Sequence, residues 1–374
     1  MLRRGVGLTE VFFLCGAACL VVGLFLPQLL SVRESARNWG CQNNLRQIGV
    51  AMDAYHERHL SMPSGYAPSG YTIDSDGAET WGWNEPSYAW SALLLSDLGH
   101  PELHESLQID SGDLPVAIRD PARANMLRFH VGEFRCASDR LGEAMDSAPL
   151  PRYQRSLDRG SGSVYAGASS YVGSAGYFEL QHPFYLAPPN QWSKQFQKAT
   201  GRNNGLFYPA SRVHRRQIVD GVSQTIAVGE RAWYQGGASW VGTANIRGVG
   251  VGDGGMCLGR VWWRINELPQ STTSEMTGQP PTLVTRQNGL TVSRPHTARN
   301  GFGSYHLGGG ANFLMADGSV RFIDDQIDFH NTIPAEGANP LDPIPNIDKL
   351  GLFQKLGIRN DSLQTSEPAS GAGP

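Results

Sequence analysis

Val11 to Leu30 is a run of twenty residues in which only Gln28 is strongly polar, and no other feature restricts this chain as much. A helix of that length, at 1.5 Å rise per residue, spans roughly 30 Å, the thickness of a bilayer's hydrocarbon core. Arg3 and Arg4 lie on the short side of the run, and the cytoplasmic bias of positive charge then predicts a single pass with the N-terminus inside. A removable secretory signal would end in a small-residue cleavage site, whereas Leu30 leads into Ser31-Val32-Arg33-Glu34-Ser35-Ala36-Arg37. Glu10 stands at the mouth of the run. A carboxylate drawn to full membrane depth there would cost roughly 2.5–3.5 kcal/mol, so a plain anchor gives no reason for it.

The helical signal continues past the apolar run. Pro27 removes one backbone hydrogen bond and favours a kink, but Cys41, Leu45, Ile48, Met52 and Tyr55 then recur at intervals of four and three. That is one face of a helix packed on a globular domain. A single helix from Leu8 to about His59 is predicted, with Pro63-Ser64-Gly65 as its terminator. Beyond Pro63 the texture changes to short apolar runs broken by turn residues. Glycine accounts for 45 of the 374 residues and proline for 23, where glycine averages roughly 7% and proline roughly 5%. Tyr88 to Leu95 opens a helix, Leu103 and Leu107 mark the buried side of a second short one, and most of the rest reads as strands. Thr225 to Glu230 is a buried strand after a turn. Ala311–Ala316 and Ser319–Ile323 flank Asp317-Gly318, a two-residue hairpin signal that calls for positive φ at both central positions. The tail 364–374 is small and polar and reads as disordered.

The expected fold is therefore α+β: a leader at 1–5, a transmembrane helix at 6–30, its extramembrane continuation at 31–62, and a β-rich antiparallel domain at 63–363. A net charge of −3, without runs of Lys or Arg, gives no footprint for nucleic acid, whose binding rests largely on phosphate neutralisation.

Arg3-Arg4-Gly5, four further residues, then Glu10 and an apolar helix resemble the class III leader of type IV prepilins and type II secretion pseudopilins. Leu8 agrees with that pattern; Val6, Gly7 and Thr9 stand where Phe, Thr and Val or Ile are usual. The resemblance implies a prepilin peptidase that cuts between Gly5 and Val6 and methylates the new amino terminus. It further implies that Glu10 neutralises the α-amino group of a neighbouring subunit in an apolar filament core, where pairing offsets the burial of both charges. A second resemblance runs through Arg33–Arg37, Cys41–Gly49, Phe134–Asp139, Asp220–Ile226 with Gly229-Glu230, and His306 to Asp317-Gly318-Ser319-Val320. This set is similar to a large, planctomycete-abundant family of prepilin-type proteins of unknown function. Its His-to-Asp-Gly signature has nine intervening residues; Leu307 to Ala316 makes ten here.

The five cysteines read differently. Cys15 and Cys19 lie in the apolar run as small hydrophobes. Cys41 and Cys136 both face an oxidising compartment and are the candidate disulfide, tying the long helix to the domain; Cys257 is an alternative partner or a free thiol. Catalytic motifs fail singly. His56-Glu57-Arg58-His59 is one residue short of the zinc-protease spacing, and His100 and His104 share a helical face without a third ligand. Gly250 to Gly255 matches a dinucleotide string without the strand and helix such a site needs. His306, Asp317, Asp324, Asp325 and Asp328 offer cation ligands, although hairpin turn chemistry and a solvated edge account for them without an ion and are the commoner cause. The tryptophans, including Trp81, Trp83, Trp90, Trp262 and Trp263, suit core packing or a glycan surface. The expected protein is not an enzyme and needs no cofactor. It is a pilus-like or pseudopilus subunit or accessory at the cytoplasmic membrane, with prepilin peptidase, other pilin-like subunits and membrane lipid as partners. The alternatives are a tethered protein binding glycan or calcium, and an extracytoplasmic hydrolase.

Overall fold

The computed structural model describes residues 8–66, 72–73, 79–80, 86–139, 156–158, 164–177, 204–243, 256–267, 282–287, 290–295, 300–330 and 349–360. Before Ser31, side chains are described only at Phe12, Phe13, Gly16 and Ala17. The leader 1–5, Val6, Gly250 to Gly255, Trp81, Trp83 and the tail 364–374 lie outside the described residues. So do the side chains of Glu10, Cys15 and Cys19.

Helix α1 runs unbroken from Leu8–His59, through Pro27, a length of about 78 Å. Its stripe packs as the spacing predicts: Cys41, Leu45, Ile48 and Met52 are buried, while Tyr55 is half-buried and stacks on His59 with ring centroids 4.2 Å apart. The helix stops before the expected terminator. Leu60 turns left-handed at φ 56°, its N–H still donates to the His56 carbonyl at 2.8 Å, and its carbonyl meets the His214 ring. Pro63 therefore follows an exit already made, the usual place for proline after a helix. Among the described residues, no helix is long and apolar enough to cross a membrane.

Four short helices come next: α2 (Trp90–Leu93), α3 (Pro101–Ser106), α4 (Leu114–Arg119) and α5 (Pro121–Met126). The last two were not expected in a β-rich region. Their sequence signal is an aspartate ahead of proline: the Asp113 carboxylate accepts from Val116 N–H at 3.3 Å and the Asp120 carboxylate from Ala122 N–H at 3.0 Å. Each N-caps a helix whose first turn contains Pro115 or Pro121.

The central sheet has five strands, β1 (Tyr171–Ser174), β2 (Ile226–Glu230), β3 (Leu258–Gly259), β4 (Gly310–Met315) and β5 (Val320–Asp324). They lie in the order β5-β4-β2-β1-β3. The expectation of an antiparallel sheet needs one correction: β3 pairs parallel with β1, Gly173 opposite Leu258. Alternation along β4 sets the two faces. Leu314 joins the core under α1 with Leu45, Ile48 and Met52. Ala311, Phe313 and Met315 face the second core, with Phe302 and with Phe353 of α6 (Leu352–Leu356).

The β4–β5 hairpin forms where the sequence places it, with a different turn. Met315 N–H donates to the Ser319 carbonyl at 2.8 Å and Gly318 N–H to the Met315 carbonyl at 3.0 Å. Of the central residues only Gly318 has positive φ, 85°, so three residues connect the strands and the glycine forms a bulge. The Asp317 carboxylate supplies the rest of the turn, accepting from Ser319 N–H at 2.9 Å and from its hydroxyl at 2.6 Å. This tip sits under α1: a Cβ at Gly49 would lie 3.0 Å from Leu314 and 3.5 Å from the Gly318 backbone.

Candidate functional site

The helix and sheet meet through polar groups as well as apolar ones. Extended backwards, the stripe on α1 that holds Cys41 and Leu45 passes through Asn38 and Glu34, keeping the intervals of four and three. On the sheet, the same period-two alternation that aims Leu314 at the helix also aims Asn312 there. Glu230 ends β2, the neighbouring strand. The loop into β4 carries His306, held by its own N–H on the Ser304 hydroxyl at 3.1 Å, while Ser304 N–H donates to the Asn266 side chain at 2.8 Å.

These residues close into one network centred on the imidazole. His306 Nδ1 lies 2.9 Å from Glu34 Oε1 and Nε2 lies 3.0 Å from Glu230 Oε1. The second Glu230 oxygen accepts from Asn312 N–H at 2.6 Å and from Asn312 Nδ2 at 3.1 Å. Asn312 Nδ2 also donates to Asn38 Oδ1 at 2.7 Å, and its Oδ1 accepts from Gln42 Nε2 at 3.1 Å. Glu34 further accepts from the Ser138 hydroxyl at 2.6 Å, and the Arg37 guanidinium stands 3.5 Å from its other oxygen. The side chains of His306 and Glu230 are 1% and 2% exposed, and of the ring and its two acids only Glu34 reaches solvent, at 14%.

The electrostatics follow from that placement. Burial pulls the His306 imidazole down, but the hydrogen bonds and charges of Glu230 and Glu34 together outweigh it, and the net shift is upward. Burial likewise pushes the Glu34 carboxyl up, and Ser138, His306 and Arg37 bring it below its ordinary value. Both ring nitrogens face carboxylate oxygens, which only accept, so the geometry favours the imidazolium, the form that donates from both. Its members come from α1, β2 and the loop before β4, so it ties the helix to the sheet rather than presenting a reactive group to solvent.

A covalent tie lies beside it. Cys41 of α1 is bonded to Cys136, with Cα atoms 5.0 Å apart. The Tyr171 hydroxyl donates to the Cys41 carbonyl at 3.1 Å, and burial, then the charge of Glu230, raises this phenol. Cys136 Sγ is 3.5 Å from His306 Nε2. Ligand-type atoms of Cys41, Cys136, Glu230 and His306 all lie within 4.8 Å of one another, and all four residues are buried.

Other residues singled out in the sequence fall elsewhere. Asp317 and Gly318 sit at the hairpin tip, the far end of β4 from His306, so the two ends of the signature do different work. Asp324 caps Gln326 N–H at 2.7 Å, Asp325 binds Asn266 and Gln326, and Asp328 accepts from Leu352 N–H at 3.1 Å; they do not converge with His306. His100 meets Glu133 at 3.1 Å and His104 meets Asp110 at 3.5 Å. Arg58 pairs with Asp97. Trp90 is core, its indole N–H donating to the Cys257 carbonyl at 3.0 Å, and the Cys257 thiol is itself buried, its Sγ 4.0 Å from the Gly65 carbonyl oxygen. Glu34, Glu230 and Asn312 carry the site, yet no catalytic or ligand pattern in the sequence marked them. Their signal was a polar residue in apolar company: an acid closing Ile226–Gly229, an asparagine inside Ala311–Met315, and a glutamate in register with a buried stripe.

A family model described as "Protein of unknown function (DUF1559)" matches residues 30–330, a stretch that holds every residue of this network. No curated protein and no solved structure matches the chain.

Proposed function

This chain belongs to the DUF1559 family, and we propose that within it the chain is a prepilin-type membrane protein that α1 both anchors and assembles. Its role would be subunit or accessory of a pilus-like or type II pseudopilus structure, acting by assembly rather than catalysis. The observation that carries this reading is the division of labour along α1. From Glu34 onward one side of the helix is held by the disulfide, the imidazolium network and the core. The described side chains near its start make no such contact: Phe12 and Phe13 are 71% and 80% exposed on the same continuous helix. Val32, Trp39 and Val50 are exposed as well, and their intervals of seven and eleven residues are close to whole turns, so they form one apolar line on the outer side.

Such a helix suits exchange of lipid for helix-to-helix contact. Cleavage by prepilin peptidase after Gly5 would free the Val6 amine, and Glu10 of the adjacent subunit would neutralise it and set the register. The Cys41–Cys136 disulfide supports an extracytoplasmic domain, because such bonds persist in oxidising compartments. The chain would then be a single-pass protein of the cytoplasmic membrane, N-terminus inside. Intact mass of the protein from its native membrane is the test. A mature chain starting at Val6, with or without an added methyl group, and loss of assembly but not of displayed domain in Glu10→Ala, are the expected results. Retention of Met1 to Gly5 overturns the reading. Assemblies indifferent to Glu10→Ala would leave a tethered protein that does not polymerise through this pairing.

A further inference from the structure

The buried cluster beside the imidazolium has the composition of a soft-metal site with its sulfurs occupied by each other. We propose that reduction of Cys41–Cys136 converts it into a four-ligand site for a zinc-class divalent ion, bound by Cys41 Sγ, Cys136 Sγ, His306 Nε2 and Glu230 Oε1. This goes beyond the assembly reading and does not depend on it.

Three observations carry the proposal. The first is spacing. Bonds of about 2.3 Å to sulfur and 2.0–2.2 Å to nitrogen and oxygen give a tetrahedron with edges of roughly 3.3–3.8 Å. Here Cys136 Sγ to His306 Nε2 is 3.5 Å, His306 Nε2 to Glu230 Oε1 is 3.0 Å, and no pair in the cluster exceeds 4.8 Å. Parting the two sulfurs completes the figure with small side-chain rotations. The second is the support around the ligands. Metal-bound histidine usually donates its other ring N–H to a carboxylate, which fixes the tautomer, and Glu34 already stands 2.9 Å from His306 Nδ1. The non-ligating oxygen of Glu230 is likewise held by Asn312, through its backbone and side-chain N–H groups. The third is chemistry: two thiolates, an imidazole and one carboxylate, all buried, select zinc-like ions over calcium or magnesium, which take oxygen shells.

The steps balance. An external dithiol gives two electrons and two protons to the disulfide, the S–S bond breaks, Cys41 and Cys136 become thiols, and the dithiol leaves as its own disulfide. Binding then expels both thiol protons and the Nε2 proton of His306, because the metal takes thiolate and neutral imidazole. What clamps α1 to the sheet changes from a covalent bond to a metal ion, and the helix stays docked in both states.

The full-length protein in detergent is reduced with a dithiol, freed of it anaerobically, and titrated with Co2+. Expected are tetrahedral d–d bands and thiolate-to-cobalt charge transfer, saturating at one ion per chain and bleached by Zn2+. The oxidised protein should show neither. His306→Gln should lose the bands and Cys257→Ala should keep them. Glu34→Gln should keep the bands while weakening affinity by about 10–100-fold; it leaves every ligand in place and so reports even where His306→Gln does not fold. Absence of the bands in the reduced protein, or bands that neither His306→Gln nor Glu34→Gln alters, overturns the proposal.

Discussion

Replacing both Cys41 and Cys136 with alanine opens a loop whose ends are 95 residues apart in sequence. In the chain-entropy account, a cross-link over that span restricts the denatured ensemble enough to stabilise the fold by about 4.7 kcal/mol. The native side changes less, because Leu45, Ile48 and Met52 keep their contacts with Leu314 in the core and the Glu34–His306–Glu230 chain remains. With a urea slope of about 3 kcal/mol/M, the midpoint should fall by about 1.5 M. The slope itself should rise, since the released chain exposes more surface once unfolded, so the comparison rests on extrapolated free energies. Full-length protein in mild detergent with a chelator present, followed by fluorescence of the buried Trp90 and Trp240, gives both quantities. A loss below about 1 kcal/mol would refute the reasoning. It would mean that the denatured chain already holds α1 near Cys136, or that the bridge strains the docked helix by nearly as much as it restrains the unfolded one.

Glu230→Ala should cost about 3–5 kcal/mol in the same assay, because it strands the imidazolium and the Asn312 donors in the interior, whereas Glu34→Gln, at the solvent edge, should cost less. The stability of the oxidised, metal-free protein should peak between about pH 4.5 and 6.5, the ordinary values of Glu34 and His306. The raised His306 contributes fully below 6.5 and is lost as pH rises through its folded value; the lowered Glu34 contributes above 4.5 and is lost as pH falls through its own. Denaturation midpoints across pH check this, and in His306→Gln the decline on the alkaline side should vanish. Gly49→Ala should be near neutral, its gain in helix propensity offsetting a 3.0 Å approach to the flexible end of Leu314. Gly49→Val should lose about 1–3 kcal/mol through overpacking against the hairpin tip, read from thermal melts.

Much of the frame was legible in the chain alone. The extent of α1, the face it buries, the buried strand ending at Glu230 and the hairpin around Asp317-Gly318 all follow from periodicity and turn chemistry, which act between residues a few positions apart. The turn type does not follow from Asp-Gly, which suits two hairpin classes; pairing of Met315 with Ser319 across the sheet selects the one with a bulge. The short helices α4 and α5 carry a local signal too, since Asp113 and Asp120, each just ahead of a proline, mark both starts.

The site was decided by tertiary structure. His306 lies 272 residues from Glu34 and 76 from Glu230 in sequence, and no local rule brings such groups together. The sequence supplied the elements, because side chains at fixed local spacing share a helix face or a strand face whatever surrounds them. Which acid meets which ring depends on how α1 lies across the sheet, and packing settles that: once the apolar stripe is docked, Glu230 is shielded from water, Glu34 stands at the solvent edge, and His306 lies within hydrogen-bond reach of both.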